Sequence, residues 1–93
     1  MEYTLPNNTN LILEIFDRLT KEVIKSDAGV RLSIGRFTEN ICVELLHHSN
    51  YYEYGNRTLT FFSFSSEEKL REQERIAIDV LHNNGLIERE ANF

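Results

Sequence analysis

The spacing of apolar residues changes twice along this chain, and that change constrains the fold more than any other feature. In the first segment apolar residues recur at steps of three and four, at Ile12, Ile15, Phe16, Leu19 and Val23. Apolar and polar residues alternate across much of 30–64, and the helical spacing returns from residue 70 onward. Steps of three and four place side chains on one side of a helix, whereas alternation places them on one face of a strand. The pattern therefore predicts a helix, several strands and a second helix.

The first helix is predicted over about residues 8–25. Short polar side chains at positions 7–10 can accept hydrogen bonds from the free N–H groups of a first helical turn. The sequence SDAG at 26–29 is expected to end this helix, with Gly29 in the left-handed conformation that closes many helices.

The second helix is predicted over about residues 66–83. Ser65 and Glu68 have the spacing of a capping box, in which each side chain bonds a free N–H group at the start of the helix. The sequence NNG at 83–85 is a stop signal, and Leu86 is placed for the apolar contact that often accompanies such an end. Residues 86–90 are expected to form either a short terminal strand or a tail.

Two strands are predicted over residues 30–34 and 41–45, joined by a turn region at 35–40. Both segments alternate apolar and polar side chains, as a strand does when one of its faces is buried. A helix over 38–48 is the rival interpretation, because Thr38 could cap it. The strand is favoured, because Ile41, Val43 and Leu45 keep a period of two.

The aromatic sequence YYEYGNRTLTFF at 51–62 is predicted to form a β-hairpin. Gly55-Asn56 supplies glycine in the first position of a two-residue turn, as a type II′ turn requires. Residues 47–50 could hold a bulge that resets the alternation before the ribbon begins. In this register both faces of the ribbon carry aromatic side chains: Tyr52, Tyr54, Leu59 and Phe61 on one, and Tyr51, Thr60, Phe62 and Phe64 on the other.

These elements define an α+β fold of α-β-β-β-α order, with a three- to four-stranded antiparallel sheet between the two helices in the sequence. Both helices are amphipathic, and packing the helices on one sheet face is the simplest way to bury every apolar stripe. The chain has 93 residues, which is close to the commonest size of one domain. Residues 1–93 are therefore interpreted as a single small α+β domain.

The order of helix, strands and helix is similar to that of double-stranded-RNA-binding domains. Those domains carry a basic run at the start of the second helix, which holds phosphate groups. The corresponding sequence here is SSEEK at 65–69, whose charge has the opposite sign. The tail LHNNGLIERE is similar to a winged-helix segment, although strands precede it here where that fold has helices. The first resemblance is therefore one of topology, and the second is limited to a helix that runs into a strand.

The balance of charge argues against nonspecific binding to nucleic acid. Fifteen acidic and ten basic side chains give a formal net charge of −5, whereas phosphate backbones are bound by clustered lysine and arginine. The single cysteine, Cys42, cannot form an internal disulfide, and the start MEYTLPNNTN lacks the basic and apolar regions of a signal peptide. No apolar run approaches the ~20 residues of a membrane helix. The protein is expected to be cytoplasmic and to make no membrane contact.

The residues that could bind a soft metal or act as nucleophiles do not form a recognisable site. Cys42, His47, His48 and His82 lack the close Cys and His pairing of structural zinc sites. Cys42 and His48 could share a strand face, but six residues of strand span ~20 Å, so the thiol cannot reach the imidazole. We therefore expect no metal or cofactor, and we interpret the histidines as partly buried or surface residues.

Neighbouring carboxylates are the remaining candidates for acid–base chemistry. They occur at Glu67-Glu68, Glu72-Glu74 and Glu88-Glu90. Catalysis would need one carboxyl group to be desolvated so that its pKa rises, and all three pairs lie in strongly polar sequence. The protein is therefore predicted not to be an enzyme.

The sequence is best interpreted as a small protein-binding regulator or inhibitor of an immunity or phage type. Tyrosine offers rigid contact area with a polar tip and is enriched at interfaces, although the tyrosines could instead fill the core. The acidic start of the second helix could engage a basic partner such as a nucleic-acid enzyme. The predicted partner-binding residues are Tyr51, Tyr52, Tyr54, Arg57, Glu67, Glu68, Glu72 and Glu74.

Two further expectations concern partners. A homodimer is predicted, because the core of so short a chain is small and both faces of the aromatic ribbon carry apolar side chains. The alternative function is a nucleic-acid-associated regulator with a winged-helix or divergent RNA-binding fold, although binding to nucleic acid is disfavoured by the acidic charge.

Overall fold

The computed structural model describes residues 7–88, which form two α-helices and one antiparallel sheet of three strands. The elements are α1 (Thr9–Lys25), β1 (Val30–Phe37), β2 (Asn40–His48), β3 (Asn56–Phe62) and α2 (Glu67–Asn83). Each strand pairs with the one that follows it in the sequence, which gives the order β1-β2-β3. The predicted α+β fold and its α-β-β-β-α order are confirmed. Of the proposed terminal strand at 86–90, residues 86–88 are irregular and the rest lies outside the described residues.

Both helices pack on one face of the sheet, as predicted. Buried side chains alternate along β2 and β3, so that Val43, Leu45, Leu59 and Phe61 point toward the helices. α1 contacts β1 and β2, whereas α2 contacts α1 and β3. The buried apolar side chains form one cluster: Leu11, Ile12, Ile15, Leu19, Val43, Leu45, Tyr52, Leu59, Phe61, Leu70, Ala77, Val80, Leu81 and Ile87.

Residues 38–48 are strand and turn rather than helix, in agreement with the favoured interpretation. β1 and β2 are joined by a turn at 38–39 only, so both strands are longer than predicted. Pairing continues as far as Phe37 opposite Asn40. Thr38 lies at φ 55, in the left-handed region that a tight reversal uses. The backbone ladder therefore extends the hairpin beyond the segment in which side chains alternate.

The predicted two-residue hairpin turn at Gly55-Asn56 is wrong. β3 begins at Asn56, which pairs with His48, so residues 49–55 form a loop instead of a strand and a turn. Gly55 lies at φ +80, a conformation that costs glycine little. Its carbonyl accepts a hydrogen bond from the N–H of Ser49 at 3.0 Å, which closes the loop.

The bulge proposed at 47–50 is also wrong. Pairing between β2 and β3 runs without interruption from His48 opposite Asn56 to Cys42 opposite Phe62. No extra residue is needed, because the chain leaves the sheet after His48 and the aromatic segment does not continue as a strand. Tyr52 turns into the core within the loop and so ends the alternation that a strand over 51–54 would require.

α2 begins one residue later than the predicted capping box implies. Its N-cap is Ser66, whose Oγ accepts a hydrogen bond from the N–H of Lys69 at 3.2 Å. Ser65 is buried, and its N–H donates to the carbonyl of Phe62. The predicted pairing of Ser65 with Glu68 is therefore wrong, because Ser65 belongs to the turn that leaves β3.

The end of α1 does not use a glycine. Ser26 follows the helix in extended backbone, and Gly29 lies outside the left-handed region. Ser26 Oγ donates to the carbonyl of Leu81 at 2.6 Å, so the end of α2 holds the end of α1. The predicted closure at Gly29 is replaced by this contact between the two helices.

α2 ends at Asn83, as its predicted span of 66–83 and the stop signal at 83–85 indicate. Asn84, at φ 54, takes the left-handed conformation at this end of the helix. Asparagine tolerates this conformation better than most residues with a side chain. Ile87 rather than Leu86 provides the buried apolar contact beyond the helix, with 2% of its surface exposed.

Candidate functional site

The three tyrosines of the predicted contact surface divide into two groups. Tyr51 and Tyr54 are 86% and 83% exposed, whereas Tyr52 is 5% exposed. All three belong to the loop at 49–55, which we call the tyrosine loop. Tyr52 therefore fills the core, whereas Tyr51 and Tyr54 are exposed and their role at an interface stays a prediction.

Tyr52 is fixed by hydrogen bonds to groups that are far apart in sequence. Its hydroxyl oxygen accepts the N–H of Ile87 at 2.7 Å and lies 2.8 Å from Nδ1 of His47. Because the oxygen already accepts from Ile87, the hydroxyl proton is available to Nδ1, and Nε2 of His47 then donates to Oδ1 of Asn84 at 3.2 Å. The buried imidazole therefore has a hydrogen-bond partner at each ring nitrogen, and it holds both Tyr52 and the residue that ends α2.

Arg57 completes this arrangement from β3. Its guanidinium lies 4.9 Å from the centre of the Tyr52 ring, and its Nη1 donates to the carbonyl of Ile87 at 2.8 Å. Tyr52 and Arg57 thus bind the N–H and the carbonyl of the same residue. We call His47, Tyr52, Arg57, Asn84 and Ile87 the Ile87 clasp.

The clasp gives the tyrosine loop a defined shape. The loop also has backbone hydrogen bonds of its own, from Tyr52 N–H to the Ser49 carbonyl and from Gly55 N–H to the Tyr52 carbonyl. Tyr51 and Tyr54 therefore project from a segment whose backbone is held at both ends and in the middle. An aromatic contact presented in this way loses little conformational entropy when it binds a partner.

Arginine side chains pair with two of the predicted acidic contact residues along α2. Glu67 lies 3.5 Å from Nη2 of Arg71, and Glu72 accepts a hydrogen bond from Nε of Arg75 at 3.0 Å. The hydrogen bond from Arg75 lowers the pKa of Glu72, so this carboxylate stays ionised and paired. Such exposed pairs contribute little to stability, but they reduce the negative field that a basic partner would meet.

The other two acidic residues differ from each other. Glu74 accepts two hydrogen bonds from Arg18 of α1, at 2.7 and 3.0 Å, and thereby joins the two helices. Glu68 is exposed and has no ion pair with any residue from 7 to 88. Of the four predicted acidic residues, Glu68 is therefore the one that pairs with no arginine among residues 7–88.

The structure does not bring the tyrosines and the acidic residues into one surface. The tyrosine loop lies beside Asn84, beyond the last turn of α2, through the Ile87 clasp. Glu67 and Glu68 are the first residues of the same helix. A helix of 17 residues is about 25 Å long, so Glu67 and Glu68 lie at the opposite end of α2 from the tyrosine loop, and Glu72 and Glu74 lie between the two ends.

The candidate nucleophile and metal ligands are also separated. Cys42 lies on the sheet face away from the helices, where burial and then the neighbouring charge of Glu44 raise the pKa of its thiol. His47 belongs to the Ile87 clasp, and the exposed His48 points to the other side of the sheet. Within the part of the chain that the structure describes, no three Cys, His, Asp or Glu side chains are placed to hold a metal ion. Of the carboxylate pair Glu88-Glu90, the second member lies outside that part.

His82 contacts a carboxylate of the other helix. Its Nε2 lies 2.6 Å from Oε2 of Glu22, at a polar cavity between the C-terminal ends of α1 and α2. The hydrogen bond from His82, as the main cause, lowers the pKa of Glu22. Glu22 is partly buried and His82 is exposed, and the Ser26 hydroxyl that also lines the cavity donates to the carbonyl of Leu81 rather than to this pair.

The Glu22 contact should make stability depend on pH in the acidic range. A carboxyl group whose pKa is lower in the folded state stabilises that state above its ordinary pKa of 4.5, and the contribution disappears as the pH falls through the lowered value. Urea denaturation of the wild type and of Glu22→Gln should therefore differ at mildly acidic pH and converge in strong acid. A difference that is constant across this range would contradict the assignment.

The Ile87 clasp was missed by sequence reasoning, although one signal for it was present. Val43, Leu45 and His47 keep a period of two along β2, which places the imidazole on the same buried face as the two aliphatic side chains. A buried histidine needs polar partners. Its partners come from the loop and from the end of α2, five and 37 residues away in sequence, which no local pattern shows.

Comparison of the chain with protein-family models, with curated proteins and with solved structures finds no match. Neither helix of the described residues is long and apolar enough to cross a membrane. Function therefore has to be inferred from the surfaces themselves, of which the tyrosine loop is the most exposed aromatic one.

Proposed function

We propose that this protein is a small cytoplasmic regulator or inhibitor that acts by binding another protein through the tyrosine loop. The observation that carries this function is the pair of almost fully exposed tyrosines, Tyr51 and Tyr54, on a loop that Tyr52 anchors in the core. Exposed aromatic side chains on a fixed backbone are typical of the residues that dominate binding energy at protein interfaces. A regulator of phage or immunity type is the class that a contact surface without a catalytic group fits best.

Tyr52 and Arg57 have a supporting part in this function. Both are committed to the Ile87 clasp, so they hold the loop in place and do not offer free side chains to a partner. The contact residues proper are then Tyr51 and Tyr54. This divides the four predicted residues of the aromatic segment into two that bind and two that position.

The acidic side of α2 is a second possible contact, and it can be separated from the first by experiment. Glu67, Glu72 and Glu74 are paired with arginines, which weakens the case for a strongly basic partner such as a nucleic-acid enzyme. Glu68 keeps an exposed charge of its own. Charge reversal at Glu68 therefore tests the electrostatic contact without breaking an ion pair of the described residues.

Affinity capture from cells that produce this protein tests the proposal with three baits. Wild type, Tyr51→Ser with Tyr54→Ser, and Glu68→Lys should have the same melting temperature, because all three positions are exposed. We expect the double tyrosine variant to lose the captured partner by at least about tenfold, as the loss of two interface aromatics predicts. The Glu68 variant should retain it.

The reverse result would assign the contact elsewhere. If Glu68→Lys abolishes capture and the tyrosine variant retains its partner, the acidic end of α2 is the contact and the tyrosine loop is not. If the partner is a nucleic acid, capture should be lost after nuclease treatment and should weaken steeply with salt, which would support the alternative function instead.

A further inference from the structure

The outer edge of β1 has backbone groups that no residue from 7 to 88 pairs with. The N–H of His48 donates to the carbonyl of Gly29, so these two residues form a hydrogen-bonded pair next to Val30 and His47. Such pairs alternate in an antiparallel ladder, so residues 31, 33, 35 and 37 bond to β2 and residues 30, 32, 34 and 36 point outward. No hydrogen bond from residues 7–88 reaches these outward groups.

The opposite edge of the sheet is occupied in part. The same alternation points residues 56, 58, 60 and 62 of β3 outward. The carbonyl of Thr60 accepts a hydrogen bond from Nε2 of Gln73 in α2 at 2.8 Å, and the carbonyl of Phe62 accepts one from the N–H of Ser65. β1 is therefore the edge at which another strand can be added most readily.

Exposed apolar side chains are concentrated beside this free edge. In residues 7–88, seven large hydrophobic side chains are exposed, and four of them lie on β1 or on α1. These four are Leu13 (47% exposed), Ile24 (79%), Ile34 (42%) and Phe37 (67%). Unpaired backbone and exposed apolar surface together are features that proteins normally avoid unless another chain covers them.

The position of Leu13 and Ile24 follows from the contacts of α1. Arg18 and Glu22 bond to side chains of α2, which fixes the side of α1 that faces α2. Each residue of a helix turns by about 100°, so Leu13 and Ile24 lie on the other side. Because α1 lies over β1 and β2 while α2 lies over β3, that other side borders the free edge of β1.

We propose that β1 pairs with β1 of a second copy of this chain, in antiparallel orientation about a two-fold axis. The two sheets would then form one six-stranded sheet, with α1 of one copy packed beside α1 of the other. A two-fold interface uses the same patch on both copies, so the patch has to be complementary to itself. This requirement is met at two places.

The charges of β1 are the first feature that fits the pairing of two identical strands. The outward N–H and carbonyl groups of the two copies face each other when the two-fold axis passes through residue 33 or through residue 34. The first register pairs residues 30–36 of the two copies, and the second pairs residues 31–37. In both registers Arg31 and Arg36 stand opposite uncharged residues of the second copy. Like charges directly opposite each other would have destabilised the pairing.

The exposed side of α1 is the second feature that fits a patch complementary to itself. Antiparallel packing of α1 with the two-fold axis next to residues 18 and 19 brings Leu13 beside Ile24 of the second copy and Asp17 near Lys21 of the second copy. Asp17 and Lys21 are both exposed and form an ion pair of 3.2 Å within one helix. Each charge can therefore pair within its own helix or with the second copy. In this packing apolar side chains contact apolar side chains and an acid contacts a base. A different protein would provide the same match only by coincidence.

This surface is distinct from the tyrosine loop. The dimer expected from the sequence used the aromatic segment at 51–62, part of which is β3. The free edge belongs to β1, which lies on the opposite side of the sheet from β3. Pairing through β1 leaves Tyr51 and Tyr54 exposed and does not depend on whether they bind a partner. Loss of one interaction and retention of the other would therefore tell the two apart.

Sedimentation equilibrium of purified protein tests the dimer. We expect the wild type to have a dimer mass at high micromolar concentration, and Leu13→Glu with Ile24→Glu to weaken association by at least about tenfold. The matched control is Tyr51→Glu with Tyr54→Glu, which adds the same charge at exposed positions outside the edge and should leave the dimer intact. Circular dichroism should be the same for all three.

Cysteine cross-linking tests the orientation. In a Cys42→Ala background, Leu13→Cys and Ile24→Cys proteins should form a disulfide with each other when mixed and oxidised, and should form far less when each is alone. A wild type that stays monomeric at high micromolar concentration would overturn the proposal and leave the edge to a strand of another protein. Loss of the dimer in the tyrosine control, or equal cross-linking of each cysteine protein with itself, would overturn it as well.

Discussion

Replacement of Phe61 by alanine is expected to destabilise the protein by about 3–5 kcal/mol. Phe61 is the largest side chain in the core with no exposed surface, and it lies opposite Val43 on the face that both helices cover. Alanine would leave a cavity between the sheet and the helices, and the surrounding side chains can fill it only in part. A domain of this size has a total stability of about 5–15 kcal/mol, so a large share of it would be lost.

Urea denaturation followed by circular dichroism measures this loss. Tyr51→Ala is the matched control, because it also removes an aromatic ring but from a side chain that is 86% exposed. We expect the control to change the free energy of unfolding by no more than about 0.5 kcal/mol. Similar losses for the two variants would show that Phe61 does not lie in the core as described.

Replacement of Tyr52 by phenylalanine is expected to cost about 2–3 kcal/mol, although the change removes a single oxygen atom. That oxygen accepts the N–H of Ile87 and lies 2.8 Å from Nδ1 of His47, and both partners are buried. Phenylalanine keeps the ring in the core but leaves a buried donor and a buried imidazole nitrogen without partners. The cost is therefore the desolvation of these two groups rather than a loss of apolar contact.

The same loop provides the controls for this experiment. Tyr51→Phe and Tyr54→Phe remove the same atom from exposed side chains, and each should be within about 0.5 kcal/mol of the wild type in chemical denaturation. Hydrogen exchange adds a local readout, since the amide of Ile87 should lose its protection in Tyr52→Phe alone. If all three variants have equal stability, the Ile87 clasp does not contribute as described.

The Ile87 clasp has a consequence for the proposed contact surface. Tyr52 connects the tyrosine loop to the segment after α2, because one hydroxyl group bonds to both His47 and Ile87. A partner that binds Tyr51 and Tyr54 therefore binds a segment whose shape depends on the position of Ile87. Loosening the clasp should weaken partner binding even though no contact residue is changed, which gives Tyr52→Phe a second use as a bait.

Local pattern was sufficient to predict the elements of the fold. The steps of three and four in α1 and the alternation of Ile41, Val43 and Leu45 in β2 identify the element type and the buried face at once. These features were correct because a helix or strand with one buried face imposes its own period on the sequence, whatever it packs against. The order α-β-β-β-α followed directly, as did the packing of both helices on one sheet face.

The site could not be predicted to the same extent. Tyr51, Tyr52 and Tyr54 are chemically identical, and their spacing fits a strand as well as it fits a loop with one residue turned inward. Tyr52 is the one that enters the core because the loop places its hydroxyl group near His47 and the N–H of Ile87, 35 residues further along the chain. The wrong hairpin and the wrong capping residue at Ser65 have the same origin, since both depend on contacts with neighbouring elements.

The sequence by itself determined which segments are helices and strands, which of their faces are apolar, and that the net charge is negative. The tertiary structure alone decided which tyrosines are exposed, which arginine neutralises Glu74, and which sheet edge residues 7–88 leave open. Periodicity is a property of neighbours along the chain, whereas hydrogen-bond partners and free edges depend on residues that folding brings together from distant positions. For that reason the shape was predictable from local pattern, and the surfaces that can bind other molecules were not.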